Sequence, residues 1–265
     1  MRSFRPSRVR RLTVGSVASL FLLLAPHVAR ASTVPALSPA HATSRVASRV
    51  PVVGLDVTDA EIAASNQKVS QAYGALVAMW SEQFARLGAS FAAPGLRPYR
   101  GPVRTGCGVM QGDNAAYCTA RNAIYFDESF LARLAGAASR QLHTDGDMAA
   151  IGVIAHEMGH AVVSQLGADS RIPYENEAAA DCLAGAFTQQ SARDGSLEPG
   201  DLDEAFFGLA AAGDPTPQLT GNRRIDDRIL TRASLMGHGT REQRLANFQS
   251  GYERGPAACV SALGR

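Results

Sequence analysis

Five residues, His156-Glu157-Met158-Gly159-His160, restrict this chain more than any other stretch of it. Side chains four apart share a face of an α-helix, so His156 and His160 can present two imidazole nitrogens to one metal ion. Glu157, one residue on, sits beside that metal. A short apolar run, Ile151 to Ala155, leads into the motif and places it on a helix expected from Asp147 to Leu166, with Gly167 as its C-terminal cap. Zinc is the natural candidate, because three protein ligands leave one position for water and lower that water's pKa towards neutrality. Glu157 is then the candidate general base, and the site needs a third ligand.

A histidine six residues past His160, preceded three residues earlier by a glycine, would complete one class of zinc site, but Leu166 and Val163 stand at those places. The other option is a carboxylate on a second helix. Asn176-Glu177-Ala178-Ala179-Ala180-Asp181 offers one in a helix-forming run, with Glu177 and Asp181 four apart on one face. Glu177 is the candidate metal ligand, and Asp181 the acceptor for the other ring N–H of a ligating histidine, which fixes its tautomer. The surrounding alanines and Cys182 to Phe187 predict a buried helix, and buried carboxylates need partners. Glu175, two residues from Glu177, points elsewhere on that helix.

The N-terminus carries different information. Arg2, Arg5, Arg8, Arg10 and Arg11 precede an apolar run from Leu12 to Ala25 and an Ala29-Arg30-Ala31 end, the pattern of a secretory signal peptide cleaved after Ala31. The chain has 26 Lys+Arg against 24 Asp+Glu, and residues 1–31 hold six of the arginines and no acid. Their removal leaves 20 basic against 24 acidic residues, a net charge of −4, so nothing suggests nucleic-acid binding. The single lysine, Lys68, reads as compositional drift. Residues 32–57, rich in Ala, Ser, Thr, Val and Pro, read as an exported linker, and residues 58–265 as the functional domain. The expected location is therefore secreted or cell-envelope, with no stable membrane insertion once the signal segment is gone.

All four cysteines fall in the exported part, where disulfides are favoured. Cys107 and Cys118 flank a Gln111-Gly112-Asp113-Asn114 turn that suits a strand pair clipped across its loop, which leaves Cys182 for Cys259. Thr58-Asp59-Ala60-Glu61 forms a capping box for a helix ending near Leu87, its stripe made by Ile62, Val69, Leu76, Met79, Trp80, Phe84 and Leu87. Val103 to Met110 and Ala115 to Phe126 are expected strands, and Asn122 to Asp127 is either an ordinary sheet strand without substrate contact or one able to offer its edge to an extended peptide. Helices are expected over Asp127 to Arg140, Asp201 to Ala212 and Arg223 to Ser234, the last two packing behind the metal site. Gly237-His238-Gly239-Thr240 then combines a mobile-backbone histidine, a candidate oxyanion donor, with a threonine able to cap the helix that follows.

The order His156-Glu157-x-x-His160, Glu177-x-x-x-Asp181-Cys182-x-Ala184-Gly185, Gly200-Asp201-Leu202, Gly213-Asp214, His238-Gly239-Thr240, Gln243-Arg244 and Cys259 resembles the bacterial neutral zinc metallopeptidase family over most of residues 59–262. Thr119, Pro215 and Met236-Gly237 depart from the family's pattern in loops. The resemblance implies a mainly helical α+β, gluzincin-like zincin domain with a small sheet and the His-Glu-x-x-His helix at its centre. It further implies a peptidase that takes one zinc ion on His156, His160 and Glu177 and uses Glu157 as base, with His238 standing where similar enzymes carry a histidine; together with the signal segment, the expected function is that of an exported endopeptidase. Its partner is a peptide or protein substrate. The alternatives are a non-catalytic exported module stabilised by zinc, against which the intact Glu157 speaks, or a zinc amidase acting on cell-wall material.

Overall fold

Thr58 opens the first helix by the reciprocal bonds its sequence predicts. Its hydroxyl accepts Glu61 N–H at 3.2 Å while the Glu61 carboxylate accepts Thr58 N–H at 2.7 Å. The computed structural model describes residues 56–212 and 217–261, and these belong to one unit. The expected signal peptide, nearly all of the expected linker and Gly213-Asp214-Pro215 lie outside the described residues.

Helix α1 (Asp59–Arg86) buries Ile62, Val69, Leu76, Met79, Trp80 and Phe84 at three- and four-residue spacing. Leu87 departs from the expected stripe and is 69% exposed, because the helix stops at Arg86 and Leu87 serves as its C-cap. The sheet follows as β1 (Gly95–Tyr99), β4 (Ala115–Cys118) and β5 (Ala123–Asp127), in the order β1-β5-β4. β5 runs parallel to β1 and antiparallel to β4. Strands β2 (Val103–Thr105) and β3 (Gly108–Met110) form a separate hairpin.

Three strand expectations change here. Val103 to Met110 folds back on itself at Gly106-Cys107, and a 3-10 turn at Thr119–Arg121 with left-handed Asn122 (φ 42°) divides Ala115 to Phe126. β5 cannot offer an edge, since both its sides are already paired; the edge strands are β1 and β4, and β4 is the one beside the candidate site residues. Asp127 ends β5 and starts α2 (Glu128–Leu142), its Oδ1 accepting the N–H groups of Ser129 and Phe130.

Helices α3 (Asp147–Gln165), α4 (Pro173–Asp194), α5 (Asp201–Ala211), α6 (Arg223–Met236), α7 (Arg241–Arg254) and α8 (Pro256–Ser261) complete the fold. α3 is the central element, touching α1, α2, α4, α5, β4 and β5. It is buried nearly throughout from Met148 to Val163, so the metal motif sits in the core rather than on a surface helix. α4 and α7 come unusually close: a Cβ on Gly185 would lie 2.0 Å from the Phe248 carbonyl oxygen, and one on Gly251 1.7 Å from that of Cys182. Of the two helices expected behind the metal site, α5 packs against α3, whereas α6 leaves Ile225 and Leu230 facing solvent and makes its main contact with α4. Both expected disulfides are present, Cys107–Cys118 closing the hairpin onto β4 and Cys182–Cys259 joining α4 to α8. Among the described residues no helix is long and apolar enough to cross a membrane. The architecture is the expected one, mainly helical with a small sheet.

Candidate metal centre

His156 and His160 leave one face of α3 together, and their Nε2 atoms stand 3.1 Å apart. Glu177, from the first turns of α4, places Oε2 3.1 Å from Nε2 of His156 and Oε1 3.4 Å from Nε2 of His160. The two helices reach this separation because α3 carries Gly159 where it meets α4. A Cβ there would lie 2.8 Å from Cα of Ala180, so a larger residue would push the ligands apart.

Behind the ligands, His156 Nδ1 lies 2.8 Å from Asp181 Oδ1, and Asp181 is fully buried. Arg244 of α7 grips the same carboxylate, with Nη2 2.6 Å from Oδ1 and Nε 3.0 Å from Oδ2, and donates through Nη1 to the Ala212 carbonyl at 3.1 Å. Burial raises the Asp181 carboxyl, but the Arg244 charge and the His156 hydrogen bond outweigh it and hold the group below the usual carboxylate range. An ionised Asp181 has no proton to give, so His156 Nδ1 must carry the hydrogen between them. The Nε2 lone pair of His156 is therefore the one directed at His160 and Glu177. Arg244 Nη2 also lies 3.1 Å from His156 Nδ1, but its shorter contact is the carboxylate.

The donor set fits a cation. One ligand atom from each of His156, His160 and Glu177 lies within 4.8 Å of the others, and Glu177 Oε2 is buried without a hydrogen bond despite its nearness to His156. Without a metal, a proton does part of that work: burial and the Arg244 charge oppose protonation of His156, yet Asp181 and Glu177 prevail and push the imidazole up to about 9. Burial likewise raises Glu177, and the two imidazoles overcome it and hold the carboxyl far below its ordinary range. Two nitrogens and a carboxylate oxygen, with a carboxylate-bonded histidine behind them, suit zinc and its neighbours among the divalent transition metals.

Glu157 stands beside the three ligands, with Oε2 accepting the backbone N–H of Tyr117 in β4 at 2.8 Å. A cleft of about 420 Å³ opens here, lined by Asn114 to Tyr117, His156, Glu157, His160, Glu177 and His238. A neighbouring cavity of about 240 Å³ shares His156, Glu157 and His238 and adds Phe130, Val153 and Leu209. The exposed His238 thus lies at the rim of both. Thr240 meanwhile caps α7, with Thr240 N–H donating to Gln243 Oε1 at 2.8 Å, so the capping and cleft-lining roles of this turn coexist.

Glu175 accepts a hydrogen bond from the Ser170 hydroxyl and stays out of the metal cluster, as its place on the helix predicts. Two participants have no role that the sequence alone assigns. Arg244 could have been sought from the burial predicted for Asp181, which one imidazole N–H does not satisfy. The Tyr117 N–H gives no side-chain signal at all.

A family model described as "Putative neutral zinc metallopeptidase" matches residues 54–262. The chain is 35% identical over 202 residues to "Uncharacterized protein YpfJ" of Escherichia coli (strain K12), an alignment covering 70% of this chain and 67% of that one. It is 30% identical over 191 residues to "Uncharacterized protein Rv2575" of Mycobacterium tuberculosis (strain ATCC 25618 / H37Rv), covering 64% of this chain and 62% of that protein. No solved structure matches.

Proposed function

The chain belongs to the neutral zinc metallopeptidase family, and from that premise we propose that it is an exported endopeptidase in which His156, His160 and Glu177 hold one zinc ion and Glu157 is the general base. One observation carries this reading: two imidazole Nε2 atoms and a buried, hydrogen-bond-poor carboxylate oxygen converge at one point, with a second carboxylate alongside. When bound, the zinc ion would polarise the scissile carbonyl and lower the pKa of water at its open position.

The chain's own groups do the rest. Tyr117 N–H holds Glu157 Oε2, leaving Oε1 to take a proton from the attacking water and later deliver it to the departing amine. Asp181 and Arg244 keep the ring of His156 in one tautomer and one orientation. The outer edge of β4 beside the cleft suits an extended peptide, which would add as a strand and set its carbonyl near Glu157. The cavity walled by Phe130, Val153 and Leu209 would receive an apolar side chain of that peptide. His238, at the rim, would donate to the oxyanion as the carbonyl is attacked. Export is supported by the arginine-rich start, the apolar run that follows it and two disulfides, bonds that persist in oxidising compartments.

Glu157→Gln separates base from ligands. The variant should retain one zinc per chain while cleavage of an unfolded protein falls by roughly 10²- to 10⁴-fold; unimpaired cleavage would sink the assignment. Glu177→Ala should lose or weaken zinc, and an unchanged metal content would remove that residue from the ligand set. N-terminal sequencing of the exported protein tests the first segment, with Ser32 expected as its first residue.

A further inference from the structure

Away from the histidines, four carboxylates meet where the loop into α3 touches the first turn of α5. One oxygen from each of Asp145, Asp147, Asp201 and Glu204 lies within 4.8 Å of the others. Acids often crowd a surface without a ligand, but here two are interior, with Asp201 4% and Glu204 0% exposed. Glu204 has hydrogen bonds at both oxygens, accepting the N–H groups of Gly146 and Met148 at 2.9 Å. It thereby caps α3 from another helix, where the N-cap Gly146 has no side chain of its own.

Asp201 is different. Its Oδ2 accepts Glu198 N–H at 2.7 Å, whereas Oδ1 is buried and has no hydrogen-bond partner. A buried carboxylate oxygen without a protein donor, on a residue grouped with three further carboxylates, calls for a cation, a proton or a water. The chain's single lysine supplies part of the charge: Lys68 Nζ is 2.7 Å from Asp147 and 3.5 Å from Asp145. It reaches the outer two acids only, and among the described residues no ion pair involves Asp201 or Glu204. One positive charge against four carboxylates leaves the inner pair uncompensated.

We propose that Asp145, Asp147, Asp201 and Glu204 form a calcium site that fastens the loop ahead of α3 to the start of α5, independent of the zinc centre and of any peptidase activity. The donors select the metal. They are all carboxylate oxygens, which suit a hard cation over zinc, and they come from a loop and two helix starts. Calcium accepts six to eight oxygens in flexible geometry and fills the remaining positions with water, whereas magnesium demands a stricter cage. The ion would hold the N-terminal end of the helix that carries His156 and His160.

Titration calorimetry with calcium chloride and thermal melts on zinc-loaded protein, at mildly alkaline pH, test the site. One calcium should bind per chain, with Tm rising by roughly 5–10 °C at a calcium concentration about 100 times Kd. Asp201→Asn should abolish both effects, and Lys68→Gln, which removes a competing ammonium group, should tighten binding. Asp147→Asn should weaken it by roughly tenfold and decides the matter should Asp201→Asn fail to fold. Absence of binding heat and of a Tm shift in millimolar calcium overturns the proposal, as does calcium binding that survives unchanged in both aspartate variants. Should wild-type protein ignore calcium while Asp201→Asn is the more stable chain, a shared proton holds the cluster and the calcium site is wrong.

Discussion

Arg244 acts on the candidate metal site chiefly through another residue. Its guanidinium is 3% exposed and grips Asp181 through two nitrogens, and Asp181 in turn orients His156. Replacing it with methionine leaves a buried carboxylate with one imidazole N–H for company, so His156 loses its fixed orientation. Zinc affinity in Arg244→Met should fall by roughly 10- to 100-fold, measured by competition with a chelator. Stability should fall by about 3–5 kcal/mol, because half of a buried charge pair remains. Arg244→Lys should recover part of the affinity, since an ammonium restores the charge but not the planar fork. Zinc binding in Arg244→Met equal to wild type would show that Asp181 orients His156 unaided. The two histidines, Glu157 and Glu177 were legible in the sequence because helical spacing of three and four residues states which side chains share a face. Arg244 was not: it meets Asp181 across 63 residues, and no local period reports a contact at that range.

Among the elements, the α4–α7 contact matters most to the site, because α7 delivers Arg244 and α4 delivers Glu177 and Asp181. Gly185 and Gly251 allow the two backbones to approach, and either Cβ would strike a carbonyl oxygen. Gly251→Ala should therefore cost about 1–3 kcal/mol in urea unfolding and weaken zinc binding as well, since the overpacked helix carries Arg244 outward. Gly74→Ala, in the middle of α1 with nothing within 4 Å of its new Cβ, should instead stabilise by about 0.5–1 kcal/mol and leave zinc binding unchanged. Equal effects from the two substitutions would refute the packing account. The helices were largely legible because their ends carry local chemistry: the Thr58 and Thr240 capping boxes, Asp127 at the start of α2 and the left-handed Gly167 after α3. The sheet was less so. Between Ala115 and Phe126 only Asn122 favours a turn, too weak a signal to mark the break at Thr119 to Asn122, and it is the tertiary pairing of β5 with both β1 and β4 that leaves the outer strands, not β5, as edges.

At the scale of the molecule, two disulfides hold different things, and their removal should separate stability from activity. Cys182–Cys259 spans 77 residues and closes a segment containing α5, α6 and α7, whereas Cys107–Cys118 spans 11 and secures the end of β4 beside the cleft. Chain entropy alone assigns the long loop about 4.5 kcal/mol and the short one about 3 kcal/mol. The paired serine variant at Cys182 and Cys259 should thus show the larger loss of Tm, roughly 10 °C or more. It should also free α7 to drift from α4, lowering zinc affinity through Arg244. The paired variant at Cys107 and Cys118 should keep its zinc and lose less Tm, roughly 6 °C or more, yet cleave peptides with a raised KM, because a looser β4 holds an extended substrate less firmly and places Tyr117 N–H less well against Glu157. Melting curves, zinc competition and steady-state cleavage on the same two proteins give the three readouts. A short-loop variant with unaltered KM would mean that substrate does not lie along β4, and the peptide would have to be sought across the other wall of the cleft, where Pro173, Asn176 and His238 stand.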